Sequence, residues 1–188
     1  MCSSDLGNVT LCNALGSSLA ESAALASILP ELCQKLLGQD LQLHSVQTWW
    51  CGEPSSLQHV EANLEQLVIK PAFPSMFMEP VFGDRLSSEQ RQQLIDRLRA
   101  KPWDFVAQER LPLSTSPSLA DAHLEPRHMM LRTYVAASGE DFTVMPGGLA
   151  RIGASSQERV VSMQRGGGSK DRSEEHTTEL QSPCNLVC

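Results

Sequence analysis

The 188-residue chain is 41% hydrophobic and only 5% aromatic, and its 15 Lys and Arg against 22 Asp and Glu give a formal charge of −7. A net acidic balance argues against non-specific nucleic-acid binding, which draws on clustered positive charge. The longest apolar helical stretch, residues 19–37, is interrupted by Glu21, Glu31, Lys35 and Pro30, so no segment reads as a membrane span or a signal peptide.

In chain order, Ser18-Leu-Ala-Glu21 has the form of a capping box. It opens a core-facing helix to Leu37, with apolar residues at helical spacing, a bend before Pro30 and a stop at Gly38. Residues 41–50 look extended and lead into Trp49-Trp-Cys-Gly52, and residues 57–66 return to helix. Leu67 to Ala72 is a short buried strand carrying one charge, Lys70, and Ser87-Ser-Glu-Gln90 is a second capping box that opens a helix over 88–100. From residue 104 onward the pattern turns to strands, at 105–109, 129–136, 142–145 and 160–163, with turns at Ser138-Gly-Glu-Asp141 and Pro146-Gly-Gly148. Helices first and a largely antiparallel sheet afterwards predict an α+β fold rather than a doubly wound one.

The two ends stand apart. Residues 2–6 read Cys-Ser-Ser-Asp-Leu, and one coding of them, TGC TCT TCC GAT CT, has the reverse complement AGA TCG GAA GAG CA, which encodes the Arg-Ser-Glu-Glu-His of residues 172–176. This is the pattern of one sequencing adapter translated in both orientations. It predicts that residues 1–6 and 172–188 are foreign to the native chain, leaving 7–171 as the native part. Within that part the balance is fourteen basic against eighteen acidic residues, or −4, and three cysteines remain, Cys12, Cys33 and Cys51. An odd, widely spaced trio offers neither a disulfide framework nor a Cys-x-x-Cys metal motif, which points to a reducing, cytoplasmic setting.

Several residues have the character of ligand-binding groups. Gly166, Gly167 and Gly168 lie between Arg165 and Lys170; three glycines can adopt positive φ and turn their N–H groups toward one phosphate, or can serve as a flexible linker. The order Gly168-Ser-Lys170 is not that of a P-loop. Lys70, at the end of an apolar strand, must either reach solvent along its stem or hold an anion. Gln108 and Glu109 close a second short strand, where a carboxylate suits a ribose and strand-edge backbone suits an adenine, or where the Glu is simply solvated. Arg132, inside the apolar run 129–135 and accompanied by Arg127 and Arg151, calls for an anionic partner, either a ligand or one of the chain's own carboxylates. The chain contains no Gly-x-Ser-x-Gly, His-Glu-x-x-His or Gly-x-Gly-x-x-Gly. His44, His59, His123 and His128 lack metal-ligand spacing and read as surface or structural residues.

Taken in order, Asn13-Ala-Leu-Gly-Ser17, Thr48-Trp-Trp-Cys-Gly52, Leu67-Val-Ile-Lys-Pro-Ala72, Phe105-Val-Ala-Gln-Glu109, Leu124-Glu-Pro-Arg127, Leu131-Arg132, Met145-Pro-Gly-Gly-Leu-Ala-Arg151 and Gly166-Gly-Gly-Ser-Lys-Asp171 resemble the circularly permuted type 2 ATP-grasp proteins. The resemblance covers residues 7–171 and is specific in combination rather than in any one motif. It implies a fold in which ATP lies between two α+β subdomains, with Lys70 on the phosphates, Gln108 and Glu109 beside adenine and ribose, and Gly166, Gly167, Gly168 and Lys170 completing the nucleotide site. Arg132, with Arg127 or Arg151, would steady the transferring phosphoryl group. The implied chemistry is ligation of a carboxylate to an amine, peptide-like substrates included, through an acyl phosphate with ATP and Mg²⁺.

Two departures from the wider pattern stand out. The loop after Lys70 reads Phe73-Pro-Ser-Met-Phe-Met-Glu-Pro80 instead of glycine-rich, and the usual metal-binding Asn has no counterpart beside Ser162 and Gln164, so the metal ligands stay unassigned. A permuted fold also needs upstream segments. Residues 7–171 are therefore expected to be a partial nucleotide-binding region, inactive without the missing segments of the full-length chain. The alternatives are a noncatalytic ATP-grasp-like binding module and a phosphotransferase with no amine acceptor.

Overall fold

The computed structural model describes residues 16–73, 78–120, 123–139 and 141–172. The chain divides into two compact units, Met1–Arg110 and Leu111–Cys188.

In the first unit, β1 (Thr48–Trp50), β2 (Leu67–Pro71), β3 (Val81–Phe82) and β4 (Phe105–Glu109) form an antiparallel sheet in the order β1-β4-β2-β3. Two helices, α2 (Pro54–Asn63) and α3 (Ser88–Ala100), supply Val60, Leu94 and Leu98 to a core shared with Leu67, Ile69, Phe105 and Ala107 of the sheet. Pro54 opens α2 at a position where no N–H is needed. The capping box expected for α3 is present: Gln90 N–H donates to Ser87 Oγ at 3.2 Å, and Ser87 N–H donates to Gln90 Oε1 at 3.0 Å. Arg99 forks onto Glu61 at 2.7 and 2.9 Å, tying α3 to α2.

The first helix departs from expectation. Residues Ser17–Glu21 form a 3-10 turn, and α1 proper runs Leu25–Leu37 with an uncapped start at Ala24. The break has a tertiary cause: Ser22 Oγ and Ala23 N–H both donate to the carbonyl of Ala72, at 2.9 and 2.8 Å, drawing Ser22 into an extended conformation. Pro30 is accommodated inside the helix, and Gly38 stops it at φ 65° as expected. No residue of α1 is fully buried within the described residues, so it is not the core-facing helix its periodicity suggests.

In the second unit, β5 (Thr115–Ala120), β6 (His123–Arg132), β9 (Gly148–Ile152) and β10 (Gly168–Arg172) form an antiparallel sheet in the order β10-β9-β6-β5, and β7 (Val135–Ser138) pairs with β8 (Asp141–Val144) as a separate hairpin. The hairpin turn falls at the expected Ser138–Asp141 pair. β5 was not expected, because its Thr-Ser-Pro-Ser-Leu-Ala sequence has a loop composition. Pro117 and Pro126 face each other in it where β6 has only β5 as a neighbour, so no second ladder asks for their N–H groups. The strand expected over 160–163 does not form: Val161 is buried, but the segment is irregular and closes in a 3-10 turn at Met163–Arg165. Among the described residues every pairing is antiparallel, which is the α+β architecture expected.

Leu98 is fully buried and Leu36 is 72% exposed. We expect Leu98→Ala to lower unfolding free energy by about 2–5 kcal/mol in urea titrations, and Leu36→Ala to change it by less than about 0.5 kcal/mol.

Candidate nucleotide site

Alternation along the first sheet sorts its side chains. Leu67, Ile69, Phe105 and Ala107 turn to the helices, which leaves Val68, Lys70, Val106 and Gln108 on the other face with Thr48 across from Gln108. There Lys70 Nζ donates to Gln108 Oε1 at 2.5 Å, Gln108 Nε2 donates to Thr48 Oγ1 at 3.0 Å, and Thr48 Oγ1 donates to the Val46 carbonyl at 2.9 Å. The relay crosses three strands and fixes the amide so that its oxygen meets the ammonium. Buried Val68 and Val106 form its apolar surroundings.

Lys70 is half-buried, and burial pulls its pKa below the ordinary 10.5. Its acceptor in the relay is a neutral amide oxygen, which compensates the charge only in part. Thr48 is known from the sequence only as the first residue of the Thr48–Gly52 motif, with no role of its own; its place at the end of an extended stretch is the signal for one.

Glu109 behaves differently from Gln108. It lies on the opposite face, paired with Leu67, and is exposed. The strand-edge backbone expected here is also absent, since β4 is flanked on both sides. Glu109 N–H donates to the Gln47 carbonyl at 3.0 Å and Arg110 N–H to the Gln66 carbonyl at 3.2 Å.

The three arginines of the second unit separate in the same way. Met130 pairs with Arg151 and Arg132 with Leu149, so Arg132 and Arg151 share a face. Arg127 alternates to the other face, where its Nε donates to Glu125 Oε1 at 2.5 Å. Arg132 is exposed; Arg151 is half-buried, and its Nε is buried without a hydrogen-bond partner among the described residues.

The glycine run has a structural explanation of its own. Gly166 has φ 80°, and its N–H donates to Met163 O at 3.2 Å; Gly167 N–H donates to Ser162 O at 3.1 Å. A Cβ on Gly167 would fall 2.5 Å from Ile152 O and 2.6 Å from Ser162 O, so only glycine fits. Gly168 opens β10, and Lys170 Nζ donates to Pro117 O at 2.7 Å. In this conformation two of the three glycine N–H groups are engaged locally, and a phosphate would have to displace those bonds.

A profile of the circularly permuted ATP-grasp type 2 family matches residues 2–153, and the chain belongs to this family. It is 33% identical over 165 residues to an uncharacterized protein of Synechocystis sp., covering 88% of this chain and 34% of that protein. It is 34% identical, over 88% of this chain and 19% of the relative, to a Frankia alni protein provisionally named glutamate–cysteine ligase 2-3. An uncharacterized Mycobacterium tuberculosis protein is 31% identical, with 88% and 30% covered. The chain thus spans about a fifth to a third of the length of these relatives.

A depressed lysine pKa means that the folded state binds fewer protons than the unfolded one between the folded pKa and 10.5, so stability due to this group rises with pH across that window. We expect the stability difference between wild type and Lys70→Met to move in favour of wild type as pH increases from neutrality toward 10.5, measured by denaturation at a series of pH values.

Proposed function

We propose that this chain is the nucleotide-binding portion of an ATP-dependent carboxylate–amine ligase that works through an acyl phosphate. The observation that carries the proposal is the Lys70–Gln108–Thr48 relay: a half-buried ammonium positioned by a neutral amide is suited to receive a polyphosphate oxygen, whose negative charge supplies what Gln108 cannot. The unpartnered Nε of Arg151 is a second donor suited to an anion. Family membership and the provisional ligase name of the Frankia relative support the same reading.

In this proposal Lys70, positioned by Gln108, meets the nucleotide phosphates, and the Gln108–Glu109 strand end lies beside adenine and ribose. Arg132 and Arg151, which share a face, stabilise charge on the transferring phosphoryl group. Arg127 is assigned a smaller part because Glu125 already neutralises it. Gly166, Gly167, Gly168 and Lys170 stay in the nucleotide site as groups that rearrange on binding. Bound ATP would supply the phosphoryl group that activates a carboxylate toward an amine; a cysteine-like amine and a glutamate-like carboxylate are the substrates that the name of the Frankia relative suggests.

The magnesium implied by the family would be held mainly by nucleotide phosphates, with one or two carboxylates from the protein. No group of three His, Cys, Asp or Glu among the described residues is placed to hold a metal ion. The metal ligands stay unassigned, and no step here depends on them. None of the described helices is long and apolar enough to cross a membrane. A reducing cytoplasmic setting stays part of the proposal, resting on the odd, widely spaced cysteines of the native part of the sequence. We also retain the foreign origin of residues 1–6 and 172–188 as a proposal, which resequencing the source locus tests: codons that continue into genuine flanking gene would refute it.

For the full-length protein, Lys70→Ala is expected to weaken ATP binding by about 1–3 kcal/mol in calorimetry, the scale of a lost charged hydrogen bond. Equal affinity in both proteins would remove Lys70 from the site. Phosphate release should require both a carboxylate and an amine; ATP binding with no such turnover would favour a noncatalytic binding module instead.

A further inference from the structure

His128 occupies a special place in the second unit. It is the last residue of β6 paired with β5, opposite Thr115, and β9 takes over as partner from Met129. Its carbonyl accepts the N–H of Gly153 at 2.8 Å, one residue past the end of β9. Since Met130 pairs with Arg151, the residue across from His128 is Gly153, and His128 and Arg151 are diagonal neighbours on one face of the sheet. Arg132 lies on Arg151's other diagonal, and Ser169 of β10 pairs directly with Arg151 on the same face.

Two buried side-chain nitrogens in this patch, Nδ1 of His128 and Nε of Arg151, have no hydrogen-bond partner among the described residues. Folded proteins leave few buried polar atoms unpaired, because each such atom forfeits its hydration without compensation. The coincidence of two on one face, in diagonal register, beside the exposed Arg132, calls for one group that answers both. An oxyanion does so: its oxygens accept from Arg151 Nε–H and from His128 when Nδ1 carries the proton.

We infer that His128 and Arg151 together form an oxyanion-binding site, taking a phosphoryl or carboxylate group, with His128 a binding residue that the sequence pattern does not reveal. The inference deepens the ligase reading of Arg132 and Arg151 and rests on it for the identity of the anion, but the site itself is defined by the two nitrogens.

The test uses full-length protein with ¹⁵N-labelled histidine, the His128 signal assigned with His128→Gln, titrated with inorganic phosphate and separately with acetate. A saturable shift of the His128 Nδ1 resonance is expected, and the anion that produces it identifies the site as phosphoryl-binding or carboxylate-binding. Arg151→Gln should weaken that response about 10- to 100-fold. The wild-type titration needs no variant to fold. A resonance insensitive to both anions, as a bridging structural water would give, overturns the inference, and so does an unchanged response in a folded Arg151→Gln protein. Lys70→Ala separates the two proposals: the His128 response should persist when ATP affinity falls, and a His128 response in a protein that never binds ATP would remove the nucleotide reading while leaving this site in place.

Discussion

The double pairing of β4 is the constraint on which the first unit depends. Hydrogen-bonded to β1 on one side and β2 on the other, β4 has its twist, register and side-chain alternation set by two neighbours at once. Phe105 and Ala107 are thereby committed to the helical core, and Gln108 to the opposite face beside Lys70 and Thr48. A one-residue slip would bury the amide among Leu94 and Leu98 and expose Ala107. The candidate site is thus held in place by the same register that closes the core.

Burial of an ammonium beside a neutral acceptor is unfavourable in the absence of an anion, and Lys70 is kept there by the relay and the valines around it. The donor is thus partly desolvated and oriented by the fold itself. The second unit repeats the theme more loosely, with Arg151 half-buried and partly unpartnered and Arg132 exposed on the same face. Arg127 shows how alternation discriminates, since its odd separation from Arg132 along β6 puts it on the other face, where it meets Glu125.

Local signals that complete themselves within a few residues were legible. The Ser87–Gln90 box, the Gly38 stop, the Ser138–Asp141 turn and the strands at Leu67 and Phe105 all appear where their residues indicate. Signals that a distant partner can overrule were not. Ser22 and Ala23 abandon a helix because the Ala72 carbonyl, about fifty positions away, accepts from both. At the glycine run, whose phosphate role stays a proposal, the turn itself is shaped by Ile152 and Ser162 carbonyls that approach too closely for any Cβ on Gly167. β5 was hidden by its serine and proline content, which an edge position tolerates.

By itself the sequence determined the α+β class, the acidic surface balance, the main strands and the membership in an ATP-grasp family, because composition, capping and motif order are properties of neighbours along the chain. Tertiary structure alone decided which of the polar residues meet. Lys70 and Gln108 are thirty-eight positions apart, and their contact exists only through the β2–β4 register. Likewise, Arg151 joins His128 and Arg132 on one face only through the β6–β9 register. Strand alternation has a period of two, so each side chain's face is settled by pairing register, a quantity that no local stretch of sequence contains.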